Sequence, residues 1–299
     1  VTTGTSTLEI VPDGPFSLAE ASRFGFGPQE ADGDGVLRLA FAQDHSEAAT
    51  GAALRQTADG TVVATVSGGS DEDGVRRQLA RILSLDHDTA PWIEVGRRDP
   101  VIGALQTRFA GLRPVLFHSP YEAAAWCVVS ARIGRRGGQA IWTRISERWG
   151  EAFALDGETR CSFPGPRTLA AHASDLPGLP EEKRRRLHGI AVAAADGALD
   201  AEHLRALGPD AAGEAVQTLR GIGPFAATLI VVRAVGWTDV LAANEPLVQK
   251  AVAHFYGSDA PADAAAITER AETWRPFRTW ATVLLRVAAD RDGVTGHAR

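Results

Sequence analysis

Three groups of residues have types and spacings that could do chemistry. The first is a lone carboxylate, Glu245, in the stretch DVLAANEPLVQK (239–250), where an apolar loop gives way to an apolar helix. Asn244 is a good helix cap, Pro246 suits a first helical turn, and an acid at that point faces the positive end of the helix. These residues alone leave open whether Glu245 is only a helix-start group or a catalytic one. The second group is LRGIGPFAATLIVV (219–232), in which one helix ends at Gly221 and another starts after Gly223 and Pro224. A turn this short points free N–H groups of the second helix outward, and glycines let a large anion approach the backbone. Helix-start amides together with the helix dipole form a phosphate site. Ile222 is expected to plug into the helix pair and hold the hairpin rigid, although a plain helix–helix turn with glycine caps has the same pattern. The third group is basic: RIGRRGGQ (132–139), with Arg132, Arg135 and Arg136, and KRRRLHG (183–189). Either run could grip phosphates or form a solvated helix face.

The elements that must position these groups fall into two parts. Residues 7–11, 36–42, 52–57 and 61–68 alternate as strands, with a hairpin signal at Ala58-Asp59-Gly60. A helix follows over 70–85, with Val75, Leu79, Ile82 and Leu83 on one stripe. From Asp99 the pattern is helical: 101–109, 119–133, 136–149, 166–173, 180–196, 199–206, 211–219, 224–235, 245–256, 262–273 and 278–291. The expected fold class is α+β, with an N-terminal α+β domain over 1–98 and an all-α domain over 99–299. Composition agrees with an ordinary globular protein, 44% hydrophobic and 23% charged. The net charge of -6 argues mildly against a nucleic-acid partner, but a local basic face would suffice. No apolar run is long enough for a membrane helix and the first residues lack a signal-peptide pattern, so a cytoplasmic protein is expected. Two cysteines, Cys127 and Cys161, exclude a four-cysteine cluster within the chain. The eight histidines form no HxxxH or HxH pair, which argues against metal catalysis. His118, His172, His188 and His254 are expected as polar or capping groups, and Trp126 and Trp280 face the cleft or the core, with core the favoured reading for each.

Leu219–Ala227 matches the L-x-G-[IV]-G-x-x-x-A form of the helix-hairpin-helix motif of DNA-repair glycosylases, and Glu245 stands about twenty residues downstream, where that superfamily places a catalytic carboxylate. FPGPRTLAA (163–171) and AETWRPFRTWATVLL (271–285) are similar to further segments of one branch, the bacterial 3-methyladenine DNA glycosylases II. The first domain then resembles that family's TATA-binding-protein-like domain, in architecture only.

The resemblance implies a monofunctional glycosylase that flips a modified, alkylated base out of duplex DNA and hydrolyses its N-glycosidic bond. Glu245, aligned with the family's Asp, would stabilise the oxocarbenium-like sugar and orient water. Its extra methylene adds roughly 1.5 Å of reach. Lyase-type relatives carry a lysine at the position of Phe225, so no strand cleavage is expected. The hairpin residues Gly221, Ile222, Gly223, Phe225 and Ala226 would hold DNA, with a monovalent cation at the Leu219 and Gly221 carbonyls. The base pocket would comprise Phe225, Leu229, Arg286 and Trp126. Leu229 and Arg286 stand where the family has aromatics. Arg286 would repel a cationic base or pair with Glu245. Arg132 stands where the family has a leucine wedge that fills the gap left by the flipped base, and is otherwise a surface arginine. Damaged double-stranded DNA is the implied partner, with a monomeric, nucleoid-associated enzyme and no cofactor. The alternative is a weak or inert DNA-binding protein of glycosylase fold that recognises distorted duplex.

Overall fold

A computed structural model of the chain describes residues 4–24, 34–69, 71–258 and 260–294. Strand β1 (Thr5–Ile10) and helix α1 (Leu18–Ser22) precede β2 (Leu37–Ala42), β3 (Ala49–Gln56) and β4 (Val62–Ser67). The four strands form one antiparallel sheet in the order β1-β4-β3-β2. The expected hairpin signal closes β3 onto β4: Thr57 N–H donates to the Thr61 carbonyl at 2.9 Å, and Gly60 takes φ +92 in the turn. Helix α2 (Glu72–Ile82) is capped by Asp71, whose carboxylate accepts from Gly74 N–H at 2.9 Å. Ser70, the first residue of the expected helix, lies outside the described residues. Val75, Leu79, Ile82 and Leu83 pack on Val62, Ala64 and Val66, so period 3.6 meets period 2 across a single core.

The helices follow: α3 (Ala90–Arg98), α4 (Pro100–Arg108), α5 (Pro120–Ser130) and α6 (Gly134–Trp149). Next come α7 (Pro166–His172), α8 (Glu181–Ala195), α9 (Ala201–Leu207) and α10 (Pro209–Gln217). The chain continues with α11 (Pro224–Ile230), α12 (Pro246–Tyr256), α13 (Ala264–Ala271) and α14 (Arg278–Arg291). They build two apolar clusters. One joins α5, α6, α8 and α11 through Val129, Ile145, Leu187, Ile190 and Ile230. The other joins α3, α4, α12 and α14 through Trp92, Ile102, Val252, Trp274 and Leu285. A buried carboxylate organises the second cluster. Asp99 caps α4 by accepting from Val101 N–H at 3.0 Å, and its other oxygen accepts from Tyr256 Oη at 2.7 Å and Trp274 Nε1 at 2.9 Å.

Sequence pattern predicts only helices beyond Asp99, and here the structure differs. Strands β5 (Ala152–Leu155) and β6 (Glu158–Cys161) form a hairpin on the sheet's outer face. Phe153 seats there against Gly51, where a Cβ would lie 2.5 Å from the ring. With both faces covered, every residue of β2 is buried. Four-residue strands are too short to show an alternation, and this pair depends on the sheet it covers. Helix α3 is also unpredicted, and its Trp92 and Val95 pack with the helices that come later in the chain.

Candidate functional site

The hairpin has the geometry that its glycines suggest. Helix α10 ends at Gln217 and α11 begins at Pro224. Gly221 takes φ +100, a left-handed region costly for other residues, and a Cβ there would come within 2.8 Å of Arg186 Cδ. Ile222 is buried in the first helical cluster, contributing about 2 kcal/mol of apolar burial. Gly223 faces open space, and among the described residues no side chain caps the start of α11. Its first amides are therefore exposed donors at a positive helix end. The Leu219 carbonyl accepts from Ile222 N–H at 3.0 Å. Phe225 projects from the first turn of α11 at 73% exposure, and Ala226 beside it is half-buried.

The expected helix over 224–235 is α11 continued by one π turn, Val231–Val235. The π turn ends at Gly236 in the left-handed region. The segment after it crosses from the first helical cluster to the second and is pinned to the start of α14. Arg278 grips the Asp239 carboxylate, with Nε to Oδ1 at 2.8 Å. Thr279 N–H donates to the Thr238 carbonyl at 2.8 Å, and its hydroxyl donates to Val240 O at 2.9 Å. At the end of this crossing Glu245 takes the N-cap position of α12, and among the described residues its carboxylate receives no capping bond. The helix-start role is thus positional, and the carboxylate is directed elsewhere.

Its partner is Arg286 on α14, whose Nη1 lies 3.2 Å from Oε1 and 3.3 Å from Oε2. The Glu245 side chain is 19% exposed and that of Arg286 35%, so the pair sits at a partly open surface. The Arg286 Nε is buried with no hydrogen-bond partner among the described residues. Of the two behaviours open to Arg286, the structure shows pairing. A third charged group, absent from the sequence reading, stands behind them. Arg233, in the π turn, is buried, donates to the Val115 carbonyl, and has its own carbonyl accept from Phe117 N–H at 2.7 Å. Burial pulls its guanidinium down to about 9, the Arg286 charge adds to the fall, and Glu245 opposes it. It remains a cation at neutral pH, so two positive charges face one glutamate. A helix of uniform pitch gives no sign of this, because the π turn alters which residues turn inward.

Two expected pocket residues pack against the first helical cluster. Trp126 is 7% exposed, set edge-on to Trp142 at 5.9 Å between ring centroids, and belongs to the core of the first helical cluster. Leu229 is half-buried against the same cluster. Trp280 is core, as expected. Arg132, Arg135 and Arg136 are all exposed around the turn from α5 to α6. Arg132 holds φ +64, and Ile133 beside it is 42% exposed. The first residue of the basic run 183–189 meets this turn: Lys183 of α8 donates to the Val129 and Ala131 carbonyls at 2.8 and 2.7 Å.

With this geometry in view, the fold is that of the helix-hairpin-helix DNA glycosylases. A 3-methyladenine DNA-glycosylase from Archaeoglobus fulgidus superposes with a TM-score of 0.77 at 22% identity, covering 95% of this chain and 98% of that one. A Bacillus subtilis relative named DNA-3-methyladenine glycosylase is 23% identical over 206 residues, 68% of each chain. A Mycobacterium tuberculosis relative, named a probable bifunctional transcriptional activator/DNA repair enzyme AlkA, is 27% identical over 207 residues, which span 68% of this chain and 40% of its own length. No protein-family model matches the chain. Among the described residues no helix is long and apolar enough to cross a membrane.

Proposed function

We propose that this protein is a monofunctional DNA glycosylase that takes a modified base out of double-stranded DNA and hydrolyses its N-glycosidic bond. The observation that carries the reading is the placement of Glu245: a partly exposed carboxylate, uncapped, on the element that directly follows an exposed, glycine-lined hairpin. The names of the relatives, glycosylases for 3-methyladenine, support an alkylated base as substrate.

In this reading the amides of α11 and the Gly221–Gly223 turn hold a backbone phosphate, with or without a monovalent cation at the Leu219 and Gly221 carbonyls. Arg135 and Arg136 contact neighbouring phosphates. Phe225 stacks on the extrahelical base, and Arg132 enters the gap. As the base departs, positive charge develops on the sugar, and Glu245 stabilises it and orients the attacking water. Phe225 stands where a lyase would need a lysine, and the chain's only lysines are Lys183 and Lys250. We assign residues 1–98 to an α+β domain of TATA-binding-protein-like architecture and residues 99–299 to the helix-hairpin-helix domain.

The second reading, an inert binder of distorted duplex, draws on the Arg286 pair. A carboxylate already neutralised by a guanidinium gives less to a developing cation. Incubation of the protein with duplexes carrying N3- or N7-alkylated purines, hypoxanthine or uracil separates the two. The enzyme leaves abasic sites that break only after alkali. An inert binder leaves every glycosidic bond intact while still binding the duplex.

A further inference from the structure

Helix α5 ends at Ser130, whose carbonyl accepts from Ile133 N–H at 3.2 Å, at the point where the chain must turn sharply. Its last carbonyls lack intrahelical donors, and the partial negative charge of the helix end gathers on them. One group answers both needs. The Lys183 ammonium lies 2.8 Å from the Val129 carbonyl and 2.7 Å from that of Ala131. An ammonium on a flexible stem, with three donors, can serve two such carbonyls at once.

Ala131 directly precedes Arg132. A non-glycine residue at φ +64 costs about 1 kcal/mol, so the turn keeps this shape only if the residues around it are held. The tip they form carries two exposed side chains, Arg132 and Ile133, and continues into Gly134 at φ +69 with nothing around it. Burial lowers the Lys183 pKa, and the charges of Arg186 and Arg132 add to the fall.

The same turn of α8 also holds the hairpin. Glu182, the neighbour of Lys183, accepts from Arg186 Nε at 3.0 Å and pairs with Arg220 Nη2 at 3.2 Å. The Arg186 stem lies over Gly221, where a Cβ would come within 2.8 Å of its Cδ. The body of α8 is fixed by Leu187, Ile190 and Ala191 in the first helical cluster. Two exposed tips, the hairpin and the α5–α6 turn, are thus tied to adjacent residues of one anchored helix.

We infer that Lys183 is a positioning residue, whose ammonium clamps the end of α5 and sets the Arg132–Ile133 tip at a fixed distance from the phosphate-holding hairpin, so that the tip enters the duplex where the hairpin has gripped it. The inference rests on the proposed binding of duplex DNA. It assigns Lys183 no contact with the reacting atoms.

The test uses the full chain and two fluorescent duplexes, one undamaged and one carrying a single abasic-site analogue beside 2-aminopurine. Wild type is expected to bind both and to raise the 2-aminopurine signal as the tip disturbs the stack. Lys183→Met is expected to hold the undamaged duplex within about twofold of wild type and to lose at least about fivefold of the fluorescence rise, with Lys183→Arg recovering much of it. Should Lys183→Met fail to fold, Lys183→Gln is read on the same duplexes. A variant that matches wild type in fluorescence, or that loses undamaged-duplex binding in step with it, overturns the positioning role and leaves the proposed function standing. A wild type that binds neither duplex overturns both.

Discussion

Glu245 shows how one position can satisfy two demands. As the N-cap residue of α12 it stands at a positive helix end, and with no capping bond among the described residues its carboxylate is left for other partners. Arg286 takes up that freedom, and Arg233 adds a second cation behind it. The two guanidinium groups oppose a cationic base close by, since like charges a few ångströms apart repel by on the order of a few kcal/mol in a partly screened site. Arg286→Ala is therefore expected to raise release of a cationic N7-alkylguanine relative to neutral hypoxanthine by about tenfold. Single-turnover rates on the two duplexes check it, and an unchanged ratio places Arg286 outside the base site. Glu245 could be singled out in the sequence because its place in the motif order is distinctive. The Arg286 pair could be posed only as one of two behaviours, because which of two possible partners a long side chain meets is decided by packing.

At the scale of elements, the hairpin depends on one backbone torsion. Gly221→Ala meets both the left-handed φ and the Arg186 stem, and is expected to cost about 1–2 kcal/mol and to weaken duplex binding. Gly213→Ala, inside α10 with open space at its Cβ, is expected to do the reverse and stabilise by up to about 1 kcal/mol. Thermal melting and duplex titration of the two variants check the contrast in sign. Long elements were legible in the sequence. The stripe of α2, the punctuation by Gly223-Pro224, and the strands around Asp59-Gly60 are local signals, and the structure forms an element at each. The β5–β6 hairpin and Arg233 were not, for one shared reason. The hairpin exists because Phe153 finds Gly51 about a hundred residues away, and Arg233 turns inward because a π turn interrupts the 3.6 period. Neither cause is written in the neighbouring residues.

The whole molecule carries net charge -6, so any hold on DNA must come from a local face rather than from bulk attraction. Exposed Arg132, Arg135 and Arg136 lie on and just after the turn that Lys183 ties to α8, and we propose that they give such a face. Arg136→Ala is expected to make the plot of log affinity against log salt shallower by about one unit, which titration at several salt concentrations measures. Stability rests on joints between distant segments. Asp99 holds α4, Tyr256 and Trp274 at once, and Asp99→Ala leaves a buried phenol and indole without their acceptor. A loss of about 3 kcal/mol is expected from denaturant unfolding. This joint fixes the second helical cluster, onto which the segment that bears Glu245 crosses. The central claim is that this glutamate does the chemistry, and the most direct measurement is the single-turnover rate of base release from a duplex with one alkylated purine, for wild type and Glu245→Gln. The account predicts release by wild type and a rate at least about a hundredfold lower for the variant, with duplex affinity kept within a few-fold. Equal rates for the two proteins, or no release by wild type from any lesion that it binds, would contradict it.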